Sequence, residues 1–187
     1  MKKRVLVVLL GLMLAAGAFA DHPKGWGLGL VGQYGDYWSG GGGALGGWAV
    51  SLKVPSVPVF WGINMSISSN GFNLGATGDY YIIDQTLIKE AGLGWFLGIG
   101  GYFDFGTYTY RYVTTDYTRT ALGLGARVPI GLSWQPINVL EVFIDFAPSL
   151  GIIFYSGDYY DYSTNKNESR SRLGGGWQGD IGIRFWF

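Results

Sequence analysis

Residues 93–105 read LGWFLGIGGYFDF. Leu93, Trp95, Leu97, Ile99, Gly101, Phe103 and Phe105 take every second position, and Gly94, Phe96, Gly98, Gly100, Tyr102 and Asp104 lie between them. Successive side chains of a β-strand point to opposite faces, so the stretch predicts a strand with one apolar face and one face of mainly small residues. Residues 121–134 repeat the pattern. Leu122, Leu124, Ala126, Val128, Ile130, Leu132 and Trp134 alternate with Ala121, Gly123, Gly125, Arg127, Pro129, Gly131 and Ser133. Residues 173–187 repeat it again, with Leu173, Gly175, Trp177, Gly179, Ile181, Ile183, Phe185 and Phe187 set against Gly174, Gly176, Gln178, Asp180, Gly182, Arg184 and Trp186.

Five further stretches alternate with less contrast: Trp26–Tyr34, Trp48–Val54, Val59–Met65, Phe72–Ile82 and Leu140–Phe154. Together they make eight strands. The charges sort with the pattern, because Lys53, Asp79, Asp104, Arg127, Glu141, Asp145, Asp180 and Arg184 all fall opposite the apolar row. An Arg or Lys facing lipid at mid-depth costs about 2 to 4 kcal/mol, which gives this sorting a cause. A soluble periplasmic ligand-binding barrel also alternates, but its polar face would be wet and rich in Lys, Glu and Thr. Here that face is mostly Gly, Ala and Ser, as in a narrow packed lumen. Trp26, Trp48, Trp61, Trp95, Trp134 and Trp177 lie on the apolar face, many near strand ends, where aromatic girdles meet the bilayer interfaces. The expected fold is all-β: an eight-stranded antiparallel up-and-down transmembrane β-barrel.

The N-terminus reads as an export leader. Lys2, Lys3 and Arg4 precede the apolar run Val5–Leu14, and Ala18-Phe19-Ala20 is an A-x-A cleavage site. The expected organisation is a signal peptide over 1–20, cleaved after Ala20, and a barrel over 21–187. The chain of 187 residues suits one domain. With 13 basic and 13 acidic side chains it has no basic field for nucleic acid, and its 14% charged content is low for a water-soluble domain. Zero Cys removes disulfides, thiolate metal sites and Cys nucleophiles, and a single His removes most His-based catalysis.

With the N-terminus on the periplasmic side, connections after odd strands should be external and long, and those after even strands short. Asp36–Gly43, Gly106–Arg119 and Ser156–Arg172 fit as external connections, and Pro55–Pro58 and Gln135–Asn138 as tight turns. Ser68–Gly71 is short for an external loop, and Asp84–Gly92 is long for a periplasmic turn. Pro129 and Pro148 each delete a ladder hydrogen bond, so a bulge or local widening is expected at each, one that could flip the faces above Pro148.

The chain stops at Phe187, with Phe185, Ile183 and Ile181 on the same face. This resembles the C-terminal signature of bacterial outer-membrane barrels, which implies reading by the barrel-assembly machinery and residence among outer-membrane lipids. Trp186 departs from the signature, since a polar residue is commoner there. The whole mature chain resembles the eight-stranded class of the OmpA transmembrane domain and OmpX. Gly125-Ala126-Arg127-Val128-Pro129-Ile130-Gly131-Leu132, with Leu140-Glu141-Val142-Phe143 and Ala147-Pro148, is similar to small uncharacterised spirochaetal outer-membrane proteins. The resemblance implies a fold and a location in the bacterial outer membrane.

Eight strands enclose only enough room for side chains to fill. Arg127, Glu141, Asp145, Asp180 and Arg184 are therefore expected to form a buried ion network that plugs the lumen; the alternative is a narrow channel through the same residues. No catalytic, cofactor or metal residues are assigned and no enzyme activity is expected, because His22 precedes the first strand, where a frayed terminus is the ordinary outcome. Gly27-Leu28-Gly29 and Gly123-Leu124-Gly125 lack the following helix that a nucleotide site needs. The external connections are rich in Tyr, and Tyr110, Tyr112, Tyr159 and Tyr160 are candidate contacts for an extracellular or host ligand. The ordinary reading is that such Tyr residues pair across strand extensions above the membrane. The functional expectation is an envelope structural or surface-interaction, adhesin-like protein.

Overall fold

A computed structural model describes residues 22–36, 47–68, 71–112, 115–157, 160–161, 166–167 and 170–187. The expected leader and Tyr159 lie outside the described residues. The strands are β1 (Gly27–Asp36), β2 (Gly47–Lys53), β3 (Phe60–Ser68), β4 (Gly71–Ile88), β5 (Leu93–Tyr112), β6 (Thr115–Arg127), β7 (Ile130–Ile137), β8 (Leu140–Gly157), β9 (Tyr160–Asp161), β10 (Lys166–Asn167) and β11 (Arg170–Trp186). Each strand from β1 to β5 pairs antiparallel with the next, and β1 also pairs with β11, so the sheet closes on itself. β9 and β10 form a separate two-stranded ribbon.

Nine strands form this ring, but they make eight staves. β6 and β7 both lie between β5 and β8, one above the other, in a single continuous register on each side. The interruption at Val128-Pro129 has a simple cause. Val128 N–H donates to Pro148 O at 3.0 Å and Gly98 N–H donates to Pro129 O at 2.8 Å. Each proline keeps the bond its carbonyl accepts and loses the one its nitrogen would donate. No bulge forms at either, and buried and exposed residues keep alternating above Pro148, contrary to the expectation from sequence. Two half-ladders lost side by side cost less than a slipped register, which would turn every side chain beyond it to the wrong face.

Three connections also differ from expectation. β4 runs on to Ile88 and a 3-10 turn at Lys89–Ala91 completes the link, so the periplasmic turn is short. A bulge between Tyr81 and Ile83 reverses the face parity of the strand below it and turns Asp84 inward, opposite Phe96. The expected loop Gly106–Arg119 is mostly strand, with Tyr110 opposite Tyr117 and Tyr112 opposite Thr115. The last tight turn lies at Asn138-Val139, beyond Pro136, because a register shift between Trp134 and Ile137 absorbs the proline. Gly92 ends the 3-10 turn at φ 64, where a Cβ would also strike the Gln135 carbonyl.

The barrel is inside out relative to a water-soluble one. Outward-facing Leu30, Trp48 and Ile181 are 62%, 74% and 61% exposed, whereas inward Arg127, Arg184 and Glu141 are 2%, 2% and 0% exposed. Only a hydrocarbon solvent makes that distribution favourable, and the chain is a transmembrane β-barrel. The strands β4, β5, β8 and β11 hold 18, 20, 18 and 17 residues. A tilted membrane strand needs about 9 to 11, so these hairpins rise beyond the bilayer.

Glycine makes room for the rings inside. Among the described residues, five inward aromatic residues sit directly opposite a glycine on a neighbouring strand: Tyr81 on Gly98, Phe96 on Gly131, Tyr102 on Gly125, Phe143 on Gly182 and Trp186 on Gly27. A Cβ at Gly125, Gly131 or Gly182 would strike the facing ring, whereas one at outward Gly101 would meet only the Gly125 carbonyl oxygen, at 3.5 Å. Gly182→Val is therefore expected to destabilise the barrel by about 1 to 3 kcal/mol through overpacking, and Gly101→Val to be tolerated. Urea unfolding from lipid vesicles measures both, and equal effects at the two sites would contradict the lumen-packing account.

Candidate functional site

The charges in the lumen stand in two groups. The lower one centres on Glu141 of β8, next to the turn at Asn138-Val139. Its Oε2 accepts from Arg184 Nη1 at 2.8 Å and from Trp186 Nε1 at 2.9 Å, both on β11. Arg184 is directly opposite Glu141 in the ladder. The other edge of the guanidinium, Nε and Nη2, donates to Ser51 Oγ at 3.1 and 2.9 Å. Its centre lies 4.8 Å from the Phe60 ring and 4.5 Å from the Phe143 ring, close enough for cation–π attraction in a dry site.

His22 completes this group. Its Nε2 lies 2.9 Å from Glu141 Oε1 and its Nδ1 2.6 Å from Asp84 Oδ1, while its backbone N–H donates to Asp84 Oδ2 at 3.1 Å. Both ring nitrogens face carboxylate oxygens, and only the doubly protonated imidazolium donates to both. Burial opposes that charge, but the hydrogen bonds to Asp84 and Glu141 outweigh it and raise the His22 pKa to about 9. The group then holds two cations, His22 and Arg184, and two anions, Asp84 and Glu141.

The upper group centres on Arg127 of β6. Its Nε lies 3.3 Å from Asp79 Oδ1, and its Nη2 lies 3.4 Å from Asp180 Oδ2 and 3.6 Å from Asp145 Oδ1. Nη1 donates to Gln178 Oε1 at 3.0 Å, and Gln178 Nε2 donates to Asp180 Oδ1 at 2.5 Å. A cavity of about 30 Å³ separates the two groups, lined by Ser51 and Arg184 from below and by Gln33, Asp79, Asp145 and Asp180 from above. It has room for about one or two waters.

Of the residues expected in one network, Arg127 meets Asp145 and Asp180, and Arg184 meets Glu141, in two separate groups. Arg127 aligns with Ser149 in the ladder, and its long side chain spans the offset to Asp145. The lower group gains His22, which is buried, where the sequence suggested a frayed terminus. It also gains Asp84, turned inward by the bulge in β4. Asp79 was legible as an inward charge but not as a partner of Arg127. Trp186, the departure from the C-terminal pattern, has a polar handle after all, because its indole N–H serves Glu141. Ile181, Ile183, Phe185 and Phe187 all face outward. Tyr110 and Tyr112 lie at the top of β5 and Tyr160 in β9.

Removing Glu141 would strand Arg184 without its counter-charge and leave His22 with Asp84 alone. Glu141→Ala is expected to cost about 3 to 5 kcal/mol of stability, read as the shift in urea unfolding from lipid vesicles. A loss below about 1 kcal/mol, the size of an exposed pair, would contradict the buried clamp.

A family described as "Protein of unknown function (DUF3996)" matches residues 50–174. None of the curated proteins matches the chain. Three solved structures are similar in fold. The N-terminal β-barrel domain of Pseudomonas aeruginosa OprF is 11% identical, with a TM-score of 0.43, over 86% of this chain and 97% of that one. Neisserial surface protein A is 10% identical, with a TM-score of 0.40, over 88% and 98%. A major outer membrane protein from Thermus thermophilus is 12% identical, with a TM-score of 0.43, over 87% and 99%.

Proposed function

The chain belongs to the DUF3996 family of proteins of unknown function, and we propose that it is an integral outer-membrane barrel with a sealed lumen, serving as an envelope scaffold whose raised hairpins meet extracellular partners. The observation that carries this reading is the filling of the lumen. Two ion-paired groups cross it at different heights, and the space between them is about 30 Å³. A conducting path needs continuous water, and a void for one or two waters does not supply it.

The lower group suits a plug better than a reaction centre. A general base needs a free nitrogen lone pair, and both nitrogens of His22 are engaged by carboxylates. Ser51, the hydroxyl nearest Arg184, is held by two guanidinium nitrogens, whereas a nucleophile needs its hydroxyl held by a base. The outward row Ile181, Ile183, Phe185 and Phe187 supplies a lipid-facing edge. The β5–β6 hairpin supplies a firm platform above the membrane, paired as far as Tyr112 and Thr115, with the Thr109 and Thr118 hydroxyls 3.0 Å apart.

Single-channel recording in planar bilayers tests the sealed lumen. The wild-type protein is expected to insert without steady conductance. A stable ohmic conductance would overturn the scaffold reading in favour of a narrow channel through the same charges.

A further inference from the structure

His22 and the residues after it belong to no strand, yet the imidazole occupies the lower lumen. The segment from His22 to Gly25 leaves the wall just below β1, where Trp26 and Phe187 exchange both backbone hydrogen bonds, at 3.1 and 2.8 Å. That pair of hydrogen bonds ties the start of the barrel to its last strand and fixes the point from which the segment turns inward. Among the described residues, the polar attachments of His22 are three contacts to Asp84 and Glu141. The ring is surrounded by Phe60, Tyr81, Phe96 and Trp186 at centroid distances of 5.2, 5.5, 5.9 and 6.2 Å. Phe60, Tyr81 and Phe96 stack in a row at 4.2 and 4.3 Å.

We propose that this N-terminal segment is a removable stopper, latched by His22 between Asp84 and Glu141, and that docking it is what seals the periplasmic end of the barrel. The inference rests on the sealed-lumen reading and adds its regulation. Asp84, Glu141, Arg184 and the rings around them are carried by strands of the wall and cannot leave without breaking the sheet. His22 sits on a short tether outside the ladder, so it can withdraw while all eight staves stay paired. Its withdrawal leaves Asp84 without the ring nitrogen and the backbone N–H that now serve it, and exposes the aromatic row to water.

The latch is charge-dependent, which makes it sensitive to pH. The groups facing His22 are Asp84 and Tyr81 on β4, Glu141 on β8, Phe60 on β3, Phe96 on β5 and Trp186 on β11, with Arg184 of β11 behind Glu141 and Lys53 of β2 5.6 Å from the Phe60 ring. The imidazolium is the cation that balances Asp84. A histidine whose folded pKa is raised contributes its full stabilisation below its ordinary value of 6.5 and loses it as pH rises through about 9. The stopper is therefore docked at neutral pH and released in alkali.

The chain holds one His and no Cys, so both ends of the test are unambiguous. Ala49 lies in the lumen, 3% exposed, packed with Val31, Phe96 and Phe143. In the full-length protein folded in lipid vesicles, Ala49→Cys is labelled with a water-soluble maleimide at a fixed neutral pH, with and without His22→Ala. Labelling is expected to be about tenfold faster with His22→Ala, while the heat-dependent gel mobility of a folded barrel is retained, because reaction tracks the open population. Equal rates in two folded proteins would overturn the stopper. Fast labelling with His22 in place would overturn the sealed lumen as well, which separates the two failures. Should His22→Ala not fold, the imidazole nitrogen resonances of the single His decide. They are expected to titrate near pH 9 in the wild-type barrel and lower with Asp84→Asn. A midpoint at the free value of 6.5 would refute the latch.

Discussion

Glu141 is the charge on which the lumen depends. It is completely buried and accepts from three groups that arrive from different parts of the chain: His22 ahead of β1, and Arg184 and Trp186 at the end of β11. A carboxylate removed from water without partners is prohibitively unfavourable, so Arg184 and Trp186 hold Glu141 from the wall and docked His22 adds the third contact. The partners are then placed by the wall. Arg184 stands opposite Glu141 because β8 and β11 pair in that register, and on the other edge of β11 the β1–β11 register brings Phe187 to Trp26 to close the ring.

The wall itself answers a different solvent on each side. Outward residues need only be apolar, and the side chains there vary freely among Leu, Ile, Val, Phe and Trp. Inward residues must share a narrow tube, where several large rings need a neighbour without a side chain. The pairing of rings with glycines solves this, Phe96 lying over Gly131 and Phe143 over Gly182. The abundant glycine is therefore a volume constraint of the lumen, and the layers between rings are left for the two ion-paired groups.

The alternation of faces was legible because it follows from local geometry alone: every second residue of β5, β6, β7, β8 and β11 sees the same solvent. The two prolines preserved it, since a missing donor removes a bond without moving the strand, and the single register held from Arg127 to Ile130. Asp84 was not legible, because a one-residue bulge after Tyr81 reverses parity below it and no turn residue marks the place. His22 was invisible to any periodicity argument, lying outside every strand; the only hint was an unpaired Asp84 that the bulge concealed. The meeting of Arg127 with Asp145 does not follow from the ladder, where Arg127 aligns with Ser149. The turn lies further along the chain than Pro136 suggested, and the reach of the Arg side chain made up the offset.

We propose an inside-out tube with lipid outside and no continuous water within. Spin labels placed singly at each residue from Val142 to Ala147, in native-like membranes, test it by collision with oxygen and with a water-soluble nickel chelate. The account predicts strong oxygen and weak nickel contact at Val142, Ile144 and Phe146, and little of either at Phe143, Asp145 and Ala147. Strong nickel contact at the inward positions would show a water-filled lumen, and at the outward positions a barrel outside the bilayer; either result contradicts the account.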